Sequence, residues 1–225
     1  MSLPLKYPRV PRFGGLETMP SDDLVLSPAD RAALIKVEVV VEEKLDGMNV
    51  MLWLEAGVPQ VGTRGGVNTY DRSGERGRLR AWARMHSDQL AAGMRDGSVL
   101  YGEWLRRRHA VPYDRLPAEL IGFDILDEHT GEFLGTDGRD VLLARLGIAG
   151  PPKRFRGVLG SAAKLDELLG PSAFANALAE GLVIRTVDGR PPRVAKYLDP
   201  EWRGIGSTPW AGENQVVSTA ALAPG

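Results

Sequence analysis

A chain of 225 residues, 43% apolar and 25% charged, can bury a core without staples and has the balance of an ordinary soluble globular protein. It has no cysteine, which rules out disulfides and thiolate metal sites and fits a reducing cytoplasm. A formal charge of -1, with no stretch of about 18 apolar residues, argues against a long grip on duplex phosphates and against a membrane-spanning helix, so any nucleic-acid contact should be local.

Residues 1–30 are proline-rich and read as an irregular lead-in. Lys36 to Glu42 reads as a strand, with Val37, Val39 and Val41 on one face and Lys36, Glu38, Glu42 and Lys44 on the other. It delivers Lys44 into a turn at Asp46-Gly47. Asn49 to Glu55 and Pro59 to Arg64 are predicted to pair as strands across Ala56-Gly57. Leu79, Trp82, Ala83, Leu90, Ala91 and Met94 have helical spacing within one helix over 77–95.

Ser98 to Leu105 and Glu119 to Asp127 read as strands, the first running into Arg106-Arg107-Arg108-His109. A helix capped at Thr136 or Asp137 should reach Leu146 and close at Gly147. Pro151-Pro152 breaks the chain, and short helices are predicted over 161–169 and 172–180. Gly181 to Val187 and Arg193 to Leu198 should form a hairpin around Asp188-Gly189, bringing Glu180 and Lys196 roughly opposite each other. Residues 204–225 lack periodicity and read as a poorly ordered tail after a domain spanning 1–203. Strands and helices mix without βαβ regularity, so the predicted class is α+β on antiparallel sheet.

Glu43-Lys44-Leu45-Asp46-Gly47-Met48-Asn49 resembles motif I of the covalent nucleotidyltransferases, which comprise ATP-dependent polynucleotide ligases and mRNA capping enzymes. Tyr101-Gly102-Glu103-Trp104-Leu105 looks like motif III and Phe123-Asp124-Ile125 like motif IIIa. Glu180-Gly181-Leu182-Val183-Ile184-Arg185 looks like motif IV and Val194-Ala195-Lys196-Tyr197 like motif V. Each match is weak alone; five collinear matches over 43–197 are specific. Asn49 stands where DNA ligases and capping enzymes usually carry arginine, which places the resemblance with ATP-dependent RNA ligases of the phage RNA ligase 2 type.

That resemblance implies an antiparallel-sheet nucleotidyltransferase domain without an OB domain. It implies Lys44 as the nucleophile that carries AMP, Lys196 on the α-phosphate, and Glu180 as ligand to Mg²⁺ or Mn²⁺. Glu103 would accept from the ribose hydroxyls, and Phe123 would stack on adenine, although taken alone it reads better as core. Glu43 would help place adenine, Asn49 the phosphates or metal-bound water, and Arg64 a nucleotide or RNA phosphate. Asp46 fills a place where the phage type often has histidine. The usual Lys-x-Lys of motif V is missing, because Val194 stands before Lys196; Arg193 or Arg203 could take over one phosphate contact.

The implied substrates are ATP and RNA with 5′-phosphate and 3′-hydroxyl ends, with an end-healing kinase or phosphatase as partner. RNA contacts are expected from Arg72, Arg76, Arg78, Arg80 and Arg84, and from Arg106 and Arg107 with Arg108, although charge runs are commonly solvated faces. A minimal DNA ligase, a capping-type nucleotidyltransferase and a non-catalytic end-binding protein stay open as alternatives.

Overall fold

The computed structural model describes residues 6–14, 24–63, 74–189, 193–199 and 212–217. In chain order the elements are α1 (Pro28–Leu34), β1 (Glu38–Glu43), β2 (Met48–Glu55), β3 (Val58–Thr63), α2 (Gly74–Met85), α3 (Ser87–Gly93) and β4 (Ser98–Trp104). They continue as β5 (Leu120–Asp127), β6 (Glu132–Phe133), α4 (Thr136–Arg145), β7 (Lys153–Val158), α5 (Ala163–Leu168), β8 (Gly181–Thr186) and β9 (Val194–Leu198). The expected α+β class on antiparallel sheet is the one observed. One sheet has the order β7-β1-β8-β9 and the other β3-β2-β4-β5-β6.

The alternation in β1 sets the layering. Val39 and Val41 face away from the second sheet and pack with Leu182, Ile184 and Ala195, under Leu34 and Leu165. The outer face of the second sheet buries Val50, Leu52, Leu100 and Ile125 against Leu79 of α2, Leu90 of α3 and Leu143 of α4. Burying each such aliphatic side chain contributes roughly 1.5–3 kcal/mol, so helices on both outer faces hold the sheets together. The inner faces are left to converge on a cavity.

Two local expectations are corrected, and one strand was not expected. The helix predicted over 77–95 is two helices, because the His86 ring stacks on Trp82 with centroids 4.2 Å apart and its Nδ1 lies 2.8 Å from the Trp82 carbonyl oxygen. The segment after Pro151-Pro152 is a strand, β7; its Lys153, Arg154 and Arg156 mask the pattern because it is a sheet edge. Residues 172–180 are not helical, since Ser172 and the Ala173 N–H bond the Glu43 carboxylate instead of starting a helix.

The lead-in also has a fixed place. Lys196 N–H donates to the Pro11 oxygen (2.9 Å) and Phe13 N–H to the Lys196 oxygen (2.8 Å), so residues 11–13 run beside β9. Tyr7 then crosses to the other sheet, where its hydroxyl donates to Asp124 at 2.8 Å. Among the described residues no helix is long and apolar enough to cross a membrane.

Candidate active site

Lys44 leaves β1 and opens the turn that leads into β2. Its N–H donates to the Gly181 oxygen (2.9 Å), tying the turn to the start of β8, and its Nζ donates to Glu180 Oε2 at 2.5 Å. The turn is seated on β4, where Gly47 N–H donates to Glu103 Oε1 at 3.0 Å. A Cβ at Gly47 would fall 2.7 Å from the Trp104 oxygen, so a side chain there would lift Lys44 out of place. At Gly181, with φ of 156°, a Cβ would fall 2.2 Å from the Tyr197 oxygen. Glycine therefore lets β9 close on the strand that follows Glu180.

Between the sheets lies a cavity of about 280 Å³, near the lower end of the roughly 300–1,000 Å³ common for small-molecule sites. Lys44, Lys196, Glu103 and Asn49 supply its polar lining, and Phe123, Val183 and Pro151 its apolar walls. Phe123 owes its direction to a bulge: Tyr101 pairs with Asp124 and Gly102 with Gly122, leaving Phe123 as the extra residue. Such an insertion re-aims a side chain, here into the cavity, while Tyr7 packs edge-on at 5.0 Å behind it. Lys196 lies opposite Val183, and Glu180 meets Asp199. The expected Glu180–Lys196 pairing is thus corrected: Thr186 N–H bonds the Arg193 oxygen, and in that register Val183 rather than Glu180 faces Lys196.

A buried polar seam runs beside the cavity. Arg139 bonds both oxygens of Glu42 and donates to the Phe123 oxygen at 3.0 Å. Arg185 joins Glu42 (3.0 Å) to Asp124 (2.8 Å), and Arg193 adds a second contact to Asp124 at 2.6 Å. Arg193 also lies over the Phe133 ring, 3.9 Å from its centroid. That commitment turns Arg193 to the seam, whereas Arg9 on the lead-in borders the cavity.

Burial alone would lower the Lys44 pKa, but Glu180, Glu103 and Asp46 outweigh it and hold the ammonium form above its usual range. Burial raises Glu180, with Lys44 opposing the shift. Glu103 is pushed up to about 8, first by burial and then by Glu180, with Lys44 opposing. The folded chain therefore favours a protonated Glu103 that the unfolded chain ionises above about pH 4.3. The stability from that protonation is full below this value and is lost as pH rises through about 8. Glu103→Gln removes the titration and can keep the acceptor for Gly47. Its melting temperature should gain on wild type between pH 5 and 8 and then level; a gap independent of pH would show that Glu103 does not titrate there.

The other expected residues fall in different places. Glu43 borders the cavity, but its carboxylate accepts from Ser172 (2.5 Å), Ala173 N–H (2.8 Å) and Arg154 (2.9 Å). Arg76, Arg78, Arg80 and Arg84 lie along α2, with Arg78 and Arg84 exposed. Arg106 is held by Glu119 (2.6 Å) and Glu213 (2.9 Å), while Arg107 and Arg108 are exposed. Arg64, Arg72 and Arg203 lie outside the described residues. Sequence reasoning gave no role to Tyr7 and Arg9, which lie in the short stretch Tyr7-Pro8-Arg9-Val10-Pro11 that resembles the entry segment of several RNA ligases, or to Val183 within motif IV.

No group of three or more His, Cys, Asp or Glu able to hold a metal occurs among the described residues. Glu180, a hard oxygen donor held against the cavity-lining Lys44, fits an ion that completes its shell with water and phosphate oxygens, as Mg²⁺ does.

No curated protein sequence matches the chain significantly. Among solved structures, a Naegleria gruberi RNA ligase with PPi superposes with a TM-score of 0.63 at 20% identity, over 88% of this chain and 61% of that one. A mutant of that ligase with ATP and Mn gives 0.59 at 18% identity, over 75% and 52%; another, with AMP and Mn, gives 0.58 at 19%, over 75% and 51%. The chain thus spans about half the length of two of these ligases, and at such identity the likeness establishes the fold. The profile of the family described as RNA ligase matches residues 37–198, from the approach to Lys44 through the whole of β9, and the chain belongs to that family.

Proposed function

We propose that this chain is an ATP-dependent RNA ligase that joins 3′-hydroxyl and 5′-phosphate RNA ends through lysyl-AMP and RNA-adenylate intermediates. The observation that carries the reading is Lys44 Nζ, 2.5 Å from the Glu180 carboxylate in a cavity that also presents Lys196, Glu103 and Phe123. The solved Naegleria ligases with ATP, AMP, PPi and Mn support the choice of nucleotide and ion.

Loss of a proton from the Lys44 ammonium to solvent water frees the amine to attack the α-phosphorus of ATP. A P–N bond forms as the bond to pyrophosphate breaks, and pyrophosphate carries away the electron pair. Lys196 places a cation toward the α-phosphate oxygens, and Glu103 accepts from the ribose. Phe123 and Val183 hold the adenine, while Asn49 orients the phosphates. Glu43, fixed by Ser172 and Arg154, keeps the end of β1 in register for this attack. Mg²⁺ or Mn²⁺ bound through Glu180 would supply further positive charge at the phosphates. Transfer of AMP to an RNA 5′-phosphate regenerates Lys44, and attack by the 3′-hydroxyl then forms the phosphodiester and releases AMP.

Four nicked duplexes, with RNA or DNA on each side of the break, test the substrate class. Sealing should be fastest with a ribonucleotide at the 3′-hydroxyl side, since the 2′-hydroxyl is what a site can use to tell RNA from DNA. Equal sealing of the all-DNA nick would overturn the RNA assignment and leave the lysine chemistry intact.

A further inference from the structure

We infer that Asn214 is a positioning residue for the Lys44 turn, acting through the loop on which Asp46 is seated; the inference rests on the ligase reading above. Residues 212–217 are laid against the chain between Leu105 and Leu116. Arg108 N–H donates to the Gly212 oxygen (3.2 Å), Asn214 N–H to Arg106 (2.9 Å), Gln215 N–H to Tyr113 (3.0 Å) and Val217 N–H to Leu116 (2.9 Å). Gly212, Glu213, Gln215 and Val216 are exposed, whereas Asn214 turns its carboxamide inward.

That carboxamide joins the two arms of the loop. Its Nδ2 donates to the Leu105 oxygen at 2.6 Å, at the end of β4, and its Oδ1 accepts from Tyr113 N–H at 3.0 Å. A donor on one side and an acceptor on the other is a demand that asparagine meets and aspartate cannot.

The loop so closed grips Asp46 from both sides. The Tyr113 hydroxyl oxygen accepts the Asp46 N–H at 2.8 Å, and the Ala110 and Val111 N–H groups donate to Asp46 Oδ2 at 2.6 and 3.1 Å. Asp46 lies two residues beyond Lys44, and its neighbour Gly47 is held by Glu103. Those two N–H donors also engage the Asp46 carboxylate, which is otherwise the nearest acid in sequence after the nucleophile. Relaxing the loop frees both the turn's backbone and that carboxylate. Attack on phosphorus requires alignment, and a misplacement of about 1 Å can cost on the order of a hundredfold in rate.

The test measures single-turnover formation of the labelled AMP adduct, the KM for ATP and the melting temperature in wild type, Asn214→Ala, Tyr113→Phe and the double variant. Each single variant should slow adduct formation about tenfold or more, with KM little changed and the protein folded at the assay temperature. The double variant should be no slower than the worse single one, because both act through Asp46. A wild-type rate in Asn214→Ala, a loss that only tracks the unfolded fraction, or losses that multiply in the double variant would overturn the assignment. Should Asn214→Ala fail to fold, Asn214→Asp keeps the acceptor for Tyr113 and loses the donor to Leu105; a wild-type rate there is equally fatal. Absence of any adduct in wild type would instead overturn the ligase reading.

Discussion

Lys44→Ala is expected to form no covalent AMP adduct under conditions in which the wild type is fully labelled. A free lysine is deprotonated in only about one molecule in a thousand at neutral pH, so its activation is a task of roughly 4 kcal/mol. The carboxylates around Lys44 enlarge that task, so on the proposed chemistry the positive charge of an ion beside them helps to free the amine. Lys196 is the other lysine on the cavity, but it stands on β9 opposite Val183 and cannot inherit the position of a residue in the β1 turn. Folding should survive the substitution, because burial already favours protonation of Glu103 and Glu180 once their cation is gone. Mass spectrometry after incubation with ATP and Mg²⁺ gives the readout. An adduct that persists in the variant, or one that maps to Lys196, removes the core of the proposed chemistry.

Arg139→Ala should lower stability by about 3–5 kcal/mol, the usual consequence of stripping one partner from a buried ion pair. Arg139 is 1% exposed and Glu42 is 0% exposed, so the substitution strips a charge partner inside the protein rather than at its surface. Glu42 would be left with Arg185, which also bonds Asp124, and the Phe123 oxygen would lose the Arg139 donor. Arg139 does not line the cavity, so the effect should be read in the melting temperature, on the order of 10 °C for a chain of this size. An unchanged melting temperature would mean that Arg185 alone satisfies Glu42.

The sequence exposed those parts of the site in which local pattern and chemistry coincide. Alternating valines ending in a lysine and an Asp-Gly turn define β1 and its exit, and Ala56-Gly57 marks a hairpin. Where a tertiary contact overrides the local rule, the pattern misled. Ser172 looks like a helix cap but is recruited by Glu43, and His86 interrupts a helical period by stacking on Trp82. β7 hides because an edge strand carries charge on both faces. Phe123 reads as core until the bulge turns it, and a bulge depends on the register of a partner strand. Asn214 had no signal at all, since its partners are backbone groups in a loop a hundred residues earlier.

The position of β1 also bears on how the molecule acquires its activity. Its neighbours on both sides, β7 and β8, come from the far half of the chain, and the cavity draws on Tyr7 at one end and Lys196 at the other. Pairings between distant segments form slowly, because the intervening chain must be closed into a loop before any contact rewards it. Lys44 therefore meets Glu180 only when that loop has closed. A partly folded chain carries every motif and none of the site, so on the proposed chemistry adduct formation reports that long-range assembly is complete.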